Sequence, residues 1–302
     1  MPSLLLIGAQ GQVGQELQLT LPRLGQLTVW DRTDLDLTKL STSTQLHQQL
    51  ASVQPQVIVN AAAYTAVDRA ESEPDLADQI NARVPALLAE VAQNLGAILV
   101  HLSTDYVFDG QQSHPYAETD LPHPQNVYGH SKWRGEEAVR NSCDRHFILR
   151  TAWVYGAYGK GNFVKTMLRL GAERSQISVV MDQIGTPTWA KDIADAITAL
   201  LALAPTANIS GTYHFTNSGV ASWYDFAVAL FAEAKGLGLP LQIEQILPIS
   251  TAEYPTPAVR PAYSVLSNRK IMQVLGQSAP HWQTSLRQML QALSSKSSDI
   301  QT

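Results

Sequence analysis

The chain has 302 residues, 45% hydrophobic and 16% charged, the proportions of an ordinary soluble globular protein long enough for one large α/β unit or two lobes. A formal charge of −5 with no run of Lys or Arg excludes a nucleic-acid-binding surface, which needs clustered cations. A single cysteine, Cys143, excludes an internal disulfide and reads as a half-buried free thiol in a reducing compartment, and no stretch approaches the ~20 apolar residues of a membrane span.

Residues 4–7 read as a buried strand that runs into Gly8-Ala9-Gln10-Gly11-Gln12-Val13-Gly14 and then into a helical pattern carried by Val13, Leu17 and Leu21. Strand, glycine turn and helix form the context in which a glycine motif holds a dinucleotide. The glycines allow the tight turn, and backbone N–H groups approach a pyrophosphate at the helix N-terminus. The spacing here is G-x-x-G-x-x-G, where G-x-G-x-x-G is commoner. The plain alternative is a strand-to-helix turn that happens to use glycine. The apolar N-terminus has no basic segment before it and no small-residue cleavage site after it, so it does not read as a signal peptide, and a cytoplasmic protein is expected. Residues 27–30 give a second strand, ending at Asp31-Arg32. An acid there suits the ribose hydroxyls of NAD and an arginine suits the 2′-phosphate of NADP, so the choice stays open. Asp34 and Asp36 either cap the next turn or lie near the adenine.

Residues 44–53 are helical and residues 57–60 form a third strand, followed by Ala61-Ala62-Ala63. Small side chains at a strand's carboxyl end leave room for a crossing ligand, or for a tight helix contact. Tyr64 opens a polar turn in which Asp68 and Glu71 read as solvated or capping groups. Residues 82–95 form an amphipathic helix ended by Gly96, and residues 98–102 a fourth strand that ends in Ser103-Thr104-Asp105-Tyr106. Thr104 therefore stands where doubly wound sheets place their sites. The segment from there to Tyr128 is broken by Gly110, Pro115, Pro122 and Pro124 and reads as a long functional loop rather than core.

Asn126-Val127-Tyr128-Gly129-His130-Ser131-Lys132 opens a helix, on which residues four apart share a face. A phenol has an unperturbed pKa of about 10, and a fixed cation beside it stabilises the phenolate. That pairing suits proton transfer while a carbonyl and an alcohol interconvert. Alone, Tyr-x-x-x-Lys is also what a solvated lysine beside a half-buried tyrosine looks like; Thr104 and the glycine turn give it weight. Further on, the pattern predicts strands over residues 147–150, 177–181 and 213–215 and helices over 163–170, 193–203, 223–234 and 280–293. Three prolines make 255–261 rigid and extended, and the polar tail 294–302 is expected to fray. The fold class is α/β: a Rossmann-like doubly wound parallel sheet with a smaller C-terminal α/β substrate-binding lobe. The division is residues 1–152 and 153–302, with parts of about 176–216 returning to the first unit.

The glycine turn, Thr104 and the Tyr128/Lys132 pair resemble the extended short-chain dehydrogenases/reductases. Within them, Val59-Asn60-Ala61-Ala62-Ala63-Tyr64-Thr65-Ala66-Val67-Asp68, Ser103-Thr104-Asp105-Tyr106-Val107-Phe108, Asn126-Val127-Tyr128-Gly129, Arg150-Thr151-Ala152-Trp153-Val154-Tyr155, Pro255-Thr256-Pro257 and Arg260-Pro261 are similar to the dTDP-4-dehydrorhamnose reductase family, over residues 3 to about 293. The resemblance implies reduction of the C4 ketone of dTDP-4-dehydro-β-L-rhamnose by NADPH or NADH, with Thr104, Tyr128 and Lys132 as catalytic residues. It implies cofactor contacts from Gly8, Gln10, Gly11, Gln12, Val13, Asp31, Arg32, Asp36, Leu37, Ala61, Ala62, Ala63, Tyr64, Tyr128 and Lys132. On the substrate side it implies Thr104, Asp105, Tyr106, Trp153, Asn162 and Arg260. Trp153 either stacks on thymine or is a core tryptophan; Arg260 either grips a diphosphate or makes a surface salt bridge. Some members place Mg²⁺ at a dimer interface. Here Lys191 stands where a carboxylate is expected and Glu16 remains, a poor cation site, so no metal is expected. The partners expected are the dTDP-sugar and, at most, a second copy in a homodimer, with neither nucleic acid nor membrane. The alternatives are an NAD-dependent nucleotide-sugar epimerase and a non-catalytic NADP-binding regulatory subunit. A dehydratase fits less well, because its Thr-Asp-Glu pattern reads Thr104-Asp105-Tyr106 in this chain.

Overall fold

The structure is a computed structural model in which residues 1–299 are described, with side chains as far as residue 294. In chain order its elements are β1 (Ser3–Ile7), α1 (Gln12–Thr20), β2 (Gln26–Trp30), α2 (Ser43–Leu50), β3 (Val57–Asn60), α3 (Val67–Ala70), α4 (Pro74–Asp78), α5 (Val84–Leu95), β4 (Ile98–Thr104), α6 (Val127–Ser142), β5 (His146–Thr151), β6 (Val154–Tyr155), α7 (Phe163–Glu173), β7 (Gln176–Val180), β8 (Ile184–Gly185), β9 (Thr188–Trp189), α8 (Ala190–Leu203), β10 (Gly211–His214), β11 (Ala221–Ser222), α9 (Trp223–Gly236), β12 (Gln245–Ile249), α10 (Arg269–Leu275) and α11 (Trp282–Asp299).

Six strands form one parallel sheet in the order β10-β5-β4-β3-β1-β2. Runs such as Leu4-Leu5-Leu6-Ile7 are apolar without alternation because both faces are covered. The period of two then sorts them. Leu4 and Leu6 pack with Leu17 and Leu21 and with Ile193 and Ile197 of α8. Leu5 and Ile7 face the other way, onto Leu46 and Leu50 of α2, Leu88 of α5 and Val139 of α6. The strand order reverses at β1, with β2 on one side and β3, β4 and β5 on the other. In such a sheet the crevice outside the carboxyl ends at the reversal is the ligand site.

The second half of the chain divides between two bodies. α8 covers the sheet beside α1, β10 extends the sheet next to β5, and Ile271 of α10 joins the same core. The expected strand 177–181 does not return to the sheet; as β7 it pairs in parallel with β12. β7 and β12, the pairs β8/β11 and β6/β9, and helices α7, α9 and α11 build a separate lobe. Its core is Tyr155, Val164, Phe226, Leu230, Trp282 and Leu286.

Three local readings change. The helix expected from residue 82 begins as a π-turn, Gln79–Arg83, which α5 continues. The buried Asn81 of that turn accepts from the Tyr64 N–H at 2.9 Å and donates to the Tyr64 carbonyl at 3.0 Å and to Ser131 Oγ at 3.0 Å. The segment between β4 and α6, expected to lie outside the core, carries its own small core of Val107, Phe108, Tyr116 and Leu266. There Phe108 and Tyr116 stack at 4.2 Å and the Tyr116 hydroxyl donates to Asp109 at 2.7 Å. The last helix runs on to Asp299 through the tail expected to fray, and residues 300–302 lie outside the described ones.

Candidate active site

The turn after β1 is built by close approach. Gly8 has φ +85°, open to glycine, and a Cβ on it would lie 2.4 Å from the Ala62 nitrogen. A Cβ on Gly14 would lie 2.2 Å from the Gly8 carbonyl. α1 thus starts directly against the ends of β1 and β3. Its N-cap is Gly11, which has no side chain to cap it, so the first amides of the helix stay available to an anion.

A cleft of about 460 Å³ opens there, lined by Gly8, Gln10, Gly11, Asp31, Arg32, Asp36, Leu37, Ala61, Ala62, Ala63 and Tyr64. Asp31 accepts from the Thr33 N–H at 2.7 Å and hydroxyl at 2.6 Å, bonds that hold its carboxyl below the usual range. Asp36 is held low in the same way by Thr38. Tyr64 donates its hydroxyl to Glu73 at 2.6 Å. Asp31 and Arg32 both line the cleft, so its wall offers a ribose-binding acid and a phosphate-binding base together.

A second cleft of about 610 Å³ shares Gln10, Gly11, Ala61 and Ala63 with the first and carries Gln12, Val13, Thr104, Asp105, Tyr106, Tyr128, Lys132 and Trp153. Thr104 is the last residue of β4 and reaches it from the sheet. Tyr128 and Lys132 reach it from one face of α6. That helix is fixed at its start: Asn126 Oδ1 accepts from the Gly129 N–H at 2.8 Å, and Glu71 accepts from the Val127 N–H at 2.9 Å. A Cβ on Gly129 would lie 2.3 Å from the Tyr106 carbonyl, so glycine lets the helix close on that loop. Glu136, buried below, ties α6 to its neighbours, accepting from Arg150 at 2.9 and 2.6 Å and from Ser103 at 2.6 Å.

Electrostatics in this cleft are set by burial. Tyr128 is pushed up to about 12 by desolvation, with the Asp105 charge adding to the rise and the Thr104 hydroxyl opposing it. Asp105 is pushed up to about 6 by desolvation, against hydrogen bonds from Ser264 and Thr104. The Thr104 hydroxyl donates to Asp105 at 3.0 Å and accepts from the Tyr106 N–H at 3.2 Å. Tyr106 stands edge-on to Tyr128, ring centres 5.5 Å apart. Lys132 is pulled down to about 8 by desolvation, Glu136 opposing. Tyr128 and Lys132 share one face of α6, as their spacing predicts. Lys132 Nζ is turned to the Leu102 carbonyl, to which it donates at 2.5 Å, and the shift of Tyr128 comes from burial, Thr104 and Asp105.

A family model described as RmlD substrate binding domain matches residues 2–295. The chain is 43% identical over 294 residues to dTDP-4-dehydrorhamnose reductase of Escherichia coli (strain K12), covering 96% of this chain and 98% of that one. The chain belongs to the dTDP-4-dehydrorhamnose reductase family. A solved dTDP-4-dehydrorhamnose reductase from Bacillus anthracis str. Ames, in complex with NADP, superposes with a TM-score of 0.86 at 41% identity, over 96% of this chain and 99% of that one. The UDP-glucose 4-epimerase of Thermus thermophilus, in complex with NAD, superposes with a TM-score of 0.76 at 19% identity over 96% and 98% of the two chains, a likeness of fold alone.

Within this reductase fold the other expected substrate residues lie at the junction with the second lobe. The Trp153 ring stacks on Trp223, centres 3.5 Å apart, and the residue adopts φ +46°, a left-handed conformation that an L-residue holds only when its surroundings enforce it. Trp153 lines the cleft that carries Thr104, Tyr128 and Lys132; Trp223 lines a further cleft of about 610 Å³ in the C-terminal lobe, with Phe163, Met167, Tyr254, Thr256 and Arg260. Arg260 is closed onto Asp68 by two bonds of 2.9 Å, so neither group is simply solvated. Asn162 caps α7 through Lys165 and donates to Gln12 at 2.7 Å, joining that lobe to the glycine turn. Lys191 pairs with Asp195 at 2.6 Å and lies over Trp189, and Asp192 accepts from Asn217 and Ser285. Among the described residues no group of three His, Cys, Asp or Glu side chains could hold a metal ion. Nor is any described helix long and apolar enough to cross a membrane.

Asn60, His101, Ser103, Glu136 and Trp223 all reach the site or support it without standing out in the sequence. Asn60 and Ser103 lie within strings that do, and their polarity at strand ends was the available signal. His101 and Trp223 carry none, since a strand histidine and a helix tryptophan pass as core.

Proposed function

We propose that the protein reduces the C4 ketone of dTDP-4-dehydro-β-L-rhamnose to dTDP-L-rhamnose with NADPH or NADH, supplying an activated deoxysugar for polysaccharide synthesis. The observation that carries this reading is the meeting of Thr104, Tyr128 and Lys132 in one cleft continuous with the dinucleotide-shaped crevice at the strand-order reversal. The glycine approach, the free first turn of α1 and the small side chains Ala61–Ala63 fit a dinucleotide diphosphate and leave a path along the sheet edge.

A reduced nicotinamide bound there supplies the hydride for C4. The chain does the rest. Tyr128, with a pKa near 12, stays protonated through neutral pH and so arrives as an acid, giving its proton to the ketone oxygen as charge develops. Thr104 places a hydroxyl beside the same position. Lys132 stands one helical turn away to hold the nicotinamide ribose. Arg260, on a segment stiffened by prolines, trades Asp68 for the sugar-nucleotide diphosphate, and the thymidine end lies in the cleft of the C-terminal lobe beside Trp223. The cytoplasm suits a chain with one buried thiol, and the acting unit is a monomer or homodimer, which sedimentation distinguishes. Intact Thr104, Tyr128 and Lys132 favour catalysis over a regulatory role. The test is sugar-nucleotide-dependent oxidation of the reduced cofactor by the wild type, lost in Tyr128→Phe.

A further inference from the structure

A chain of hydrogen bonds behind Lys132 has a polarity fixed at its far end. The Ala62 backbone N–H donates to Asn60 Oδ1 at 3.2 Å. A backbone N–H can only donate, so the oxygen of the Asn60 amide faces Ala62 and its nitrogen faces His101 Nδ1, at 3.2 Å. The amide nitrogen also only donates. His101 Nδ1 is therefore the acceptor, and the single proton of a neutral imidazole sits on Nε2. The ring is neutral: it is fully buried, and burial holds it well below the ordinary histidine range. His101 Nε2 then points its proton at Lys132 Nζ, 3.4 Å away. An ammonium has no acceptor and repels that N–H; a neutral amine has a lone pair to receive it.

We propose that His101 is a positioning residue that donates to Lys132 and stabilises its neutral amine in the cofactor-free enzyme, so that the pair sets the upper pH limit of catalysis. The other titratable groups about Lys132 are Tyr128 and Glu136 on its own helix. Glu136 is closed by Arg150 from β5 and by Arg140, and β3 contributes the uncharged Asn60. Only His101 offers a donor to the lone pair among the described contacts of Nζ, since its other partner is the Leu102 carbonyl. The lowered pKa of Lys132 is consistent with this arrangement.

The functional part rests on the role proposed for Lys132; the tautomer does not, and it is read without substrate or cofactor. Long-range ¹H–¹⁵N NMR of histidine-labelled wild type should show His101 protonated at Nε2 alone across neutral pH. A proton on Nδ1, or on both nitrogens, would overturn the proposal. In Asn60→Asp the carboxylate accepts from both Ala62 and the ring, moving the proton to Nδ1 and turning the Nε2 lone pair toward Lys132. The basic limb of kcat/KM should then rise by about one pH unit or more. His101→Leu removes the donor and should move the same limb upward, whereas a purely structural loss lowers the rate at every pH and leaves the limb in place. A limb unchanged or lowered in both variants contradicts the proposal.

Discussion

Tyr128 and Asp105 share a cleft but are driven in ways that give each a separate test. The phenol is held protonated by burial, so its replacement removes an acid and little else. Tyr128→Phe is expected to lower kcat by about 10²–10⁴-fold while the cofactor Kd, measured by fluorescence titration, changes by less than an order of magnitude. Asp105 concerns stability. Its folded-state pKa of about 6 lies above the ordinary aspartate value of 3.8, so the native state binds that proton more tightly than the unfolded chain. Its ionisation therefore removes stability as pH rises from the unfolded value through about 6. Asp105→Asn carries no such charge. Urea unfolding at pH 4 and pH 8 should show the variant gaining on the wild type by about 2–3 kcal/mol between the two; an equal difference at both would remove the assigned shift. That Tyr128 and Thr104 meet was legible in the sequence, because helix period and strand end are local facts. The orientation of Lys132 was not. It depends on a carbonyl of β4 and a histidine from the same strand, groups that only the fold brings beneath α6.

At the scale of elements, the glycine turn is where close backbone packing and the wall of the candidate cofactor cleft coincide. Gly8→Ala combines a left-handed φ with contact against the Ala62 backbone, and should cost at least about 1–3 kcal/mol and weaken cofactor binding together. Wild-type urea stability in that variant would contradict the close approach. The buried strands β1, β3, β4 and β5 could be read directly, since doubly covered strands are unbroken apolar runs. β7, which alternates exposed and buried residues at its start, pairs with β12 outside the main sheet, and local pattern says nothing about a strand's neighbour. The two-residue strands and the π-turn at Gln79–Arg83 lie below any periodic signal. The small core around Phe108 and Tyr116 was hidden among prolines and glycines that suggest a bare loop.

Taken whole, the molecule places a sheet edge against a second lobe, and the Asp68–Arg260 pair joins them across the site. If Arg260 is the diphosphate ligand, Arg260→Ala should raise KM for the sugar nucleotide by about 10-fold or more with the cofactor Kd unchanged, while Asp68→Asn, which frees the guanidinium, should leave KM unchanged or lower. A strut without a binding role would instead make both variants raise KM alike. The cleft of the C-terminal lobe was only half legible from sequence: Arg260 stood out between prolines, but its carboxylate partner lies far away in the chain, and Trp223 gave no sign of stacking on Trp153. The measurement that bears most directly on the central claim follows absorbance loss from NADPH and from NADH when purified protein meets dTDP-4-dehydrorhamnose generated in situ. Oxidation that requires the sugar nucleotide is the expected result, and the ratio of the two rates decides between Asp31 and Arg32 as the dominant contact. No oxidation with either cofactor, or oxidation indifferent to the sugar, would contradict the assignment.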